Sequence, residues 1–279
     1  MTYASTRTYP YAEASQSNRT PGKLIVGALL VAGLVLTLIV LQLYQASSEG
    51  TATRALRRSV AALTELDVLV AQQYDQLQTQ AATAAPGDVI VLDGYPLAVQ
   101  LSPNEVGDVP QNELRETIVS ESAAILYSDG TSAWRAVDGS DPGRFTAAGA
   151  VDRSMDLLRE DVHDVSLIAL TVLAAVSLIL VVFLATFCRG FGKIGAVGVA
   201  ILFAAIPVLL GGALGRLFTA GADDDHYLRD QLFAIGHGLS SIPLRDGLAF
   251  AALGASLIIV AMLGDRLTRR QPHLTGTRP

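Results

Sequence analysis

The sequence predicts an all-α membrane protein: four transmembrane helices, with an extracytoplasmic helical hairpin carrying a small α+β insert. Three observations predict it. Apolar residues, 51% of the chain, gather in four blocks. Each block matches the ~20 residues that a helix needs to cross the hydrocarbon core. Of the 26 acidic residues, 24 fall in only two of the connections, 49–164 and 223–246. Arg and Lys instead border the blocks at residues 1–23, at Arg189 and Lys193, and in the tail at Arg266, Arg269, Arg270 and Arg278. The positive-inside rule then places both termini and the short middle turn in the cytoplasm, as an even number of spans requires.

Residues 1–22 are rich in Ser, Thr and Tyr, contain Pro10 and Pro21, and lack apolar periodicity, which reads as a disordered cytoplasmic leader. The first span is 23–44. Its apolar run is longer than the roughly 7–15 residues of a signal-peptide core, so an uncleaved anchor is expected.

Residues 45–164 form the expected extracytoplasmic domain. Leu56, Val60, Leu63, Val70, Tyr74 and Leu77 alternate at four- and three-residue steps, interrupted only at Asp67. That is a coiled-coil seam, and it defines a helical arm over 50–85. Val151, Met155, Leu158, Val162 and Val165 repeat the spacing in a second arm, 148–164, that leads into the next span. The two arms are expected to pack as a hairpin. Arg54, Arg57 and Arg58 would face Asp156, Glu160, Asp161 and Asp164, in exposed pairs worth ~0–1 kcal/mol each.

Between the arms, 86–147 reads as the α+β insert. "DVIVLDG" and "YPLAVQL" have strand composition and meet at Asp93-Gly94. "DVPQNELRETIVSESAAIL" reads as a helix capped by Asp108, and "AILYSDGTSAWRAV" as a hairpin turning at Asp129-Gly130. Trp134 and Arg135, just past that turn, are the candidate recognition residues of the insert.

The second span, 165–187, is followed by a cytoplasmic turn at 188–193 and the third span, 194–218. "GFGKIG", Gly190 to Gly195, has the G-x-G-x-x-G spacing, but it follows a helix instead of a strand. It therefore reads as a tight turn and not a dinucleotide site. Cys188 is alone, so no internal disulfide holds the outer domain, and a buried thiol is expected. Pro207, Gly211 and Gly215 suit helix packing or a hinge in the third span, since small residues four apart let backbones approach. Residues 219–246 are an outer loop with an amphipathic interfacial helix. The fourth span is 247–264, and 265–279 is a cytoplasmic tail.

The interfacial helix holds the densest ionisable cluster, "DDDHYLRD". His226, Asp230 and His237 share one arc of a helical wheel, but Asp230 and His237 lie ~10 Å apart along the axis, too far to share an ion. Leu228, Leu232, Ile235 and Leu239 occupy the opposite arc, as in a helix lying on a membrane surface that stops at Gly236, Gly238 and Pro243. Only His226 with Asp223 or Asp230 could still chelate, a weak two-ligand set, so no metal site is expected and His226 and Asp230 read as contacts to headgroups or the outer domain.

No G-x-S-x-G, S-x-x-K, H-E-x-x-H or Cys/His ligand set occurs, so neither catalysis nor a cofactor is expected. No Asp, Glu or His lies deep in a span, which disfavours an ion-coupled transporter. The acidic outer part disfavours nucleic acid. Expected partners are membrane lipid and a second protein or further copies of the chain. The function expected is a multi-pass plasma-membrane sensor, adaptor or complex subunit that binds a ligand or partner outside the membrane. An oligomeric channel or transport-system subunit is the alternative.

Overall fold

A computed structural model describes residues 20–64, 66–133, 155–220 and 227–269. The principal helices are α1 (Thr20–Ala46), α2 (Glu49–Leu63), α3 (Leu66–Thr83), α4 (Pro103–Val106), α5 (Gln111–Asp129), α6 (Glu160–Phe187), α7 (Gly192–Ala220) and α8 (Tyr227–Arg269). The chain divides into two compact units. One comprises Met1–Ile39, Leu170–Gly211 and Pro243–Pro279, the other Val40–Ala169 and Gly212–Ile242.

Among the described residues, four stretches are long and apolar enough to cross a membrane: Pro21–Ala46, Glu160–Phe187, Gly192–Leu217 and Ser240–Thr268. Between 11% and 28% of the most apolar window of each is buried, leaving Leu24, Ile168, Leu178 and Leu210 largely open. Exposing that much hydrocarbon to water costs about 25 cal/mol per Å², so these faces belong against lipid or other helices. The chain therefore has the make-up of a multi-pass membrane protein.

In the first unit Leu30, Leu184 and Ala200 form a small core from α1, α6 and α7. Helix α1 meets α6 where Gly33 leaves room: a Cβ there would lie 3.4 Å from the Ser177 hydroxyl. One turn on, the Thr37 hydroxyl donates to the Gly33 carbonyl at 2.7 Å and lies 3.3 Å from Ser177 Oγ. Helices α7 and α8 come together through glycine. A Cβ on Gly254 would lie 2.8 Å from the Gly198 carbonyl oxygen and 2.9 Å from the Leu202 nitrogen, so backbone rests on backbone. Gly195 against Ala261 and Gly247 against Leu209 continue the same antiparallel register. Gly190, with φ +55°, makes the turn that joins α6 to α7.

The second unit holds a polar helical module. Its core takes Leu56, Val60, Leu66, Val70 and Leu77 from α2 and α3, and Leu114, Ile118, Ala123 and Leu126 from α5. The segment between α3 and α5 adds Ile90, Leu92, Tyr95, Leu97, Val99 and Leu101. Met155 and Leu158 join it from the far side of the sequence. Each such side chain removed from water contributes about 1.5–3 kcal/mol.

Several expectations are corrected here. The insert is not α+β: among the described residues the only strand-type pairing is an isolated antiparallel bridge between Ile90 and Leu101. The alternation of strands persists, with Ile90 and Leu92 buried and Val89 and Val91 exposed. The ladder does not form because Pro96 lacks a donor and the backbone turns on itself, Tyr95 N–H to Leu92 O and Val99 N–H to Leu97 O. Nor is there a hairpin at Asp129-Gly130. Helix α5 starts at Gln111, after Asp108 in left-handed backbone (φ +56°), and runs straight through "AILY" to Asp129. Gly130, at φ +67°, closes it by donating its N–H to the Leu126 carbonyl.

The coiled-coil arms are replaced as well. The first arm does not continue the first span, because the helix breaks at Ser47–Ser48, where the Ser47 hydroxyl donates to the Leu43 carbonyl, and the arm itself breaks near Thr64. Its apolar face packs on α5, whose buried Leu114, Ile118, Ser122 and Leu126 repeat every four residues. Val162 is half-buried and Val165 exposed, and Val151 lies outside the described residues. Finally, α8 does not stop at Gly236, Gly238 or Pro243; it is one helix of 43 residues with Pro243 inside it, so no separate interfacial helix precedes the fourth span. A proline within an apolar helix forfeits one backbone hydrogen bond, a loss that membrane helices tolerate.

Candidate functional site

Residues 49–129 carry twelve acidic side chains and four basic ones, Arg54, Arg57, Arg58 and Arg115. All four basic side chains line one groove of about 320 Å³ on the helical module, together with Ala61, Glu116 and Val119. The fold dictates this convergence. Arg54, Arg57 and Arg58 stand at i, i+3 and i+4 on α2, a single helical face, while Ala52, Leu56 and Val60 turn the other face into the core. On α5, burial of Leu114 and Ile118 leaves Arg115, Glu116 and Val119 at the edge of that helix, where it packs along α2.

The partners differ from those expected. The Arg57 guanidinium donates to Ser120 Oγ at 2.5 Å and lies 3.4 Å from a Glu116 carboxylate oxygen, both on α5. Its Nε is buried and has no hydrogen-bond partner. Arg115 pairs with Asp67 at the head of α3. A second hollow of about 430 Å³, lined by Asp67, Val70, Gln111, Asn112 and Arg115, adjoins the first through that arginine. Arg54 folds back to the Gly50 carbonyl of its own helix at 2.7 Å. Arg58 is exposed and has neither hydrogen bond nor ion pair among the described residues. On the second arm, Asp156 accepts the Thr131 hydroxyl at 3.0 Å, and Asp161 pairs with Arg159 at 3.0 Å. The ion pairs expected between the two arms are thus replaced by pairs between α2, α3 and α5, because α5 and not the second arm covers α2.

Other sequence-derived candidates fall as follows. Trp134, Arg135 and His226 lie outside the described residues, and Asp230 lies in the first turn of α8. Pro207 is inside α7, and among the described residues no atom comes within 4 Å of a Cβ added at Gly211, so that glycine does not meet α8 as Gly198 does. Gly215 does meet a neighbour, the Ser240 Cβ at 3.1 Å. At Gly198 and Gly254, by contrast, an added Cβ would meet backbone atoms of the facing helix at 2.8 Å. His163 stacks on Tyr44 at 4.3 Å between ring centres, with Nδ1 3.2 Å from the Tyr44 carbonyl. Cys188 is buried, and no cluster of three or more His, Cys, Asp or Glu side chains able to hold a metal occurs among the described residues.

Arg115 and Glu116 are the groove residues that sequence reasoning missed. Local periodicity gives no sign of them, but the charge count does: four cations in a segment so acidic invite the question of where they meet. No family model, curated protein or solved structure is significantly similar to this chain.

Proposed function

We propose that the chain is a plasma-membrane sensor, adaptor or complex subunit whose helical module lies outside the cytoplasm and binds a ligand or partner without catalysis. The observation that carries this reading is the module itself: a closed hydrophobic core over α2 to α5, with every cation of residues 49–129 gathered in one concave site. Nothing in that site resembles reaction machinery. Arginine stays protonated at any physiological pH and serves to bind, not to exchange protons. Sidedness follows from charge: the acid-rich stretch falls on the side away from Lys193 and the Arg-rich tail.

Cysteine labelling in intact cells tests the arrangement. In a Cys188→Ser background, Gln76→Cys on exposed α3 is expected to react with a membrane-impermeant maleimide. Lys193→Cys is expected to react only after permeabilisation. Protection of Gln76→Cys, or labelling of Lys193→Cys in intact cells, reverses the topology and removes the proposal.

A further inference from the structure

The groove between α2 and α5 has a ligand chemistry written into it. We propose that Arg54, Arg57, Arg58 and Arg115 form a site for a phosphate-class oxyanion, carried by a lipid headgroup or by a free phosphate compound. This rests on the reading of the module as the ligand-binding part of the chain.

Three observations converge. First, residues 49–129 are otherwise acidic, so a general positive surface does not explain the cluster; all four of their cations line one open hollow. Second, the cluster opposes its own folding. Arg54 and Arg58 repel at i, i+4 on α2, a cost of a few tenths of a kcal/mol per pair in an isolated helix. Only Glu116 and Asp67 offset the four charges by direct pairing, which leaves an excess of positive charge in the site. Third, donors are left over. The Arg57 Nε is buried without a partner, and the exposed Arg58 has none among the described residues. A buried donor such as the Arg57 Nε is seldom left without an acceptor, and a bound water or ion is one way to supply it.

Geometry favours an oxyanion over a bulkier partner. The hollow is lined by Ala61 and Val119 as well as the charges, and its volume of about 320 Å³ suits a small group. Guanidinium forks match the paired oxygens of phosphate and bind them bidentately. The place in the chain keeps the lipid source open: Arg54 comes soon after Ala46, the end of the first spanning stretch.

The experiment uses the full-length protein in phosphatidylcholine nanodiscs at low ionic strength, in two arms. One titrates inorganic pyrophosphate and follows the thermal transition. The other adds phosphatidylglycerol to the discs and follows retained lipid by native mass spectrometry. Saturable binding in at least one arm is expected, weakening with added salt, and the responding arm identifies the source. Arg54→Gln/Arg58→Gln, which leaves both ion pairs in place, is expected to weaken binding about tenfold or more. Arg54→Lys/Arg58→Lys, which keeps charge but loses the fork, should fall between. Should the double glutamine variant lose its helical circular dichroism, Arg58→Gln alone decides, since that side chain supports nothing in the fold. Binding by neither arm, or glutamine variants that bind like wild type, overturns the proposal. The cysteine labelling above is indifferent to this result, so a wrong ligand class and a wrong topology are told apart.

Discussion

The polar module and the apolar helix unit are both helical, yet they cohere by opposite means. In the module, large side chains interdigitate: Leu56, Leu77, Leu97, Leu114 and Ile118 are almost wholly buried, and water is excluded from them. In the apolar unit, large side chains such as Leu178, Phe203 and Leu210 point away from the helix neighbours. Contact there is made by what is missing, at Gly198 and Gly254, where the backbones touch. The difference follows from solvent. Water pushes hydrocarbon inward and so rewards a core, whereas lipid is indifferent to it and leaves close packing and polar contacts as the drive for association.

Truncating the same residue type in the two regions breaks that comparison most severely. Leu56→Ala deletes a fully buried side chain from the α2–α5 core and should destabilise the module by about 2–5 kcal/mol. Leu178→Ala removes a side chain 66% exposed and should change stability by no more than about 0.5 kcal/mol in a bilayer. Denaturant unfolding in nanodiscs, read by near-ultraviolet circular dichroism, measures both. Equal effects would mean that the apolar faces of α6 are buried against protein in the assembled state.

Adding one methyl probes the other mode. Gly254→Ala drives a carbon into the Gly198 carbonyl and the Leu202 backbone, which no rotamer change relieves, and should cost about 1–3 kcal/mol. Gly211→Ala meets no atom within 4 Å and gains helix propensity, so it should be neutral or stabilising by up to about 1 kcal/mol. Thermal melts of the two variants side by side decide. A Gly211→Ala that destabilises as much as Gly254→Ala would place another helix, from a second copy or a partner, against that notch.

These contrasts explain what was legible in the sequence. The spans were, because an apolar run of about 20 residues has few other meanings. Which glycines carry the seam was not: Gly211 and Gly215 have the familiar spacing, but the register of α7 on α8 is a long-range property that puts Gly198 opposite Gly254. In the module, buried positions were legible from periodicity, as Leu56, Val60, Val70 and Leu77 show. Their partner was not, since an Asp-Gly step serves equally as hairpin turn and helix stop, and reading Asp129-Gly130 as the former cut α5 short. That one ambiguity hid the α2–α5 pairing and, with it, the groove. Arg54, Arg57 and Arg58 were visible as one face, but Arg115 reaches them only once α5 is whole.

The smallest effect lies inside the module and concerns its one buried phenol. Tyr95 Oη is 2.8 Å from Ser122 Oγ, and Ser122 spends its own hydrogen on the Ile118 carbonyl at 2.6 Å. The tyrosine is therefore the donor, and Ser122 its acceptor. Tyr95→Phe removes that bond but leaves Ser122 satisfied, so the loss should be about 0.5–1.5 kcal/mol at neutral pH. Burial also pushes the Tyr95 pKa above its ordinary value near 10, while the Ser122 and Thr64 hydroxyls, which can turn to donate to the phenolate, pull only partly the other way. A proton held more tightly in the folded state stabilises fully below the unfolded pKa, and that contribution is lost as pH rises through the folded one. Wild type should accordingly lose thermal stability above about pH 10 more steeply than Tyr95→Phe does. Tyr127, raised by partial burial and then by Glu160, Glu49 and Asp164, contributes the same alkaline slope to both proteins and so cancels in the comparison. Melting temperatures measured across that range would show parallel slopes if the buried phenol were not responsible, and the polar bond within the core would then be only a neutral-pH contact.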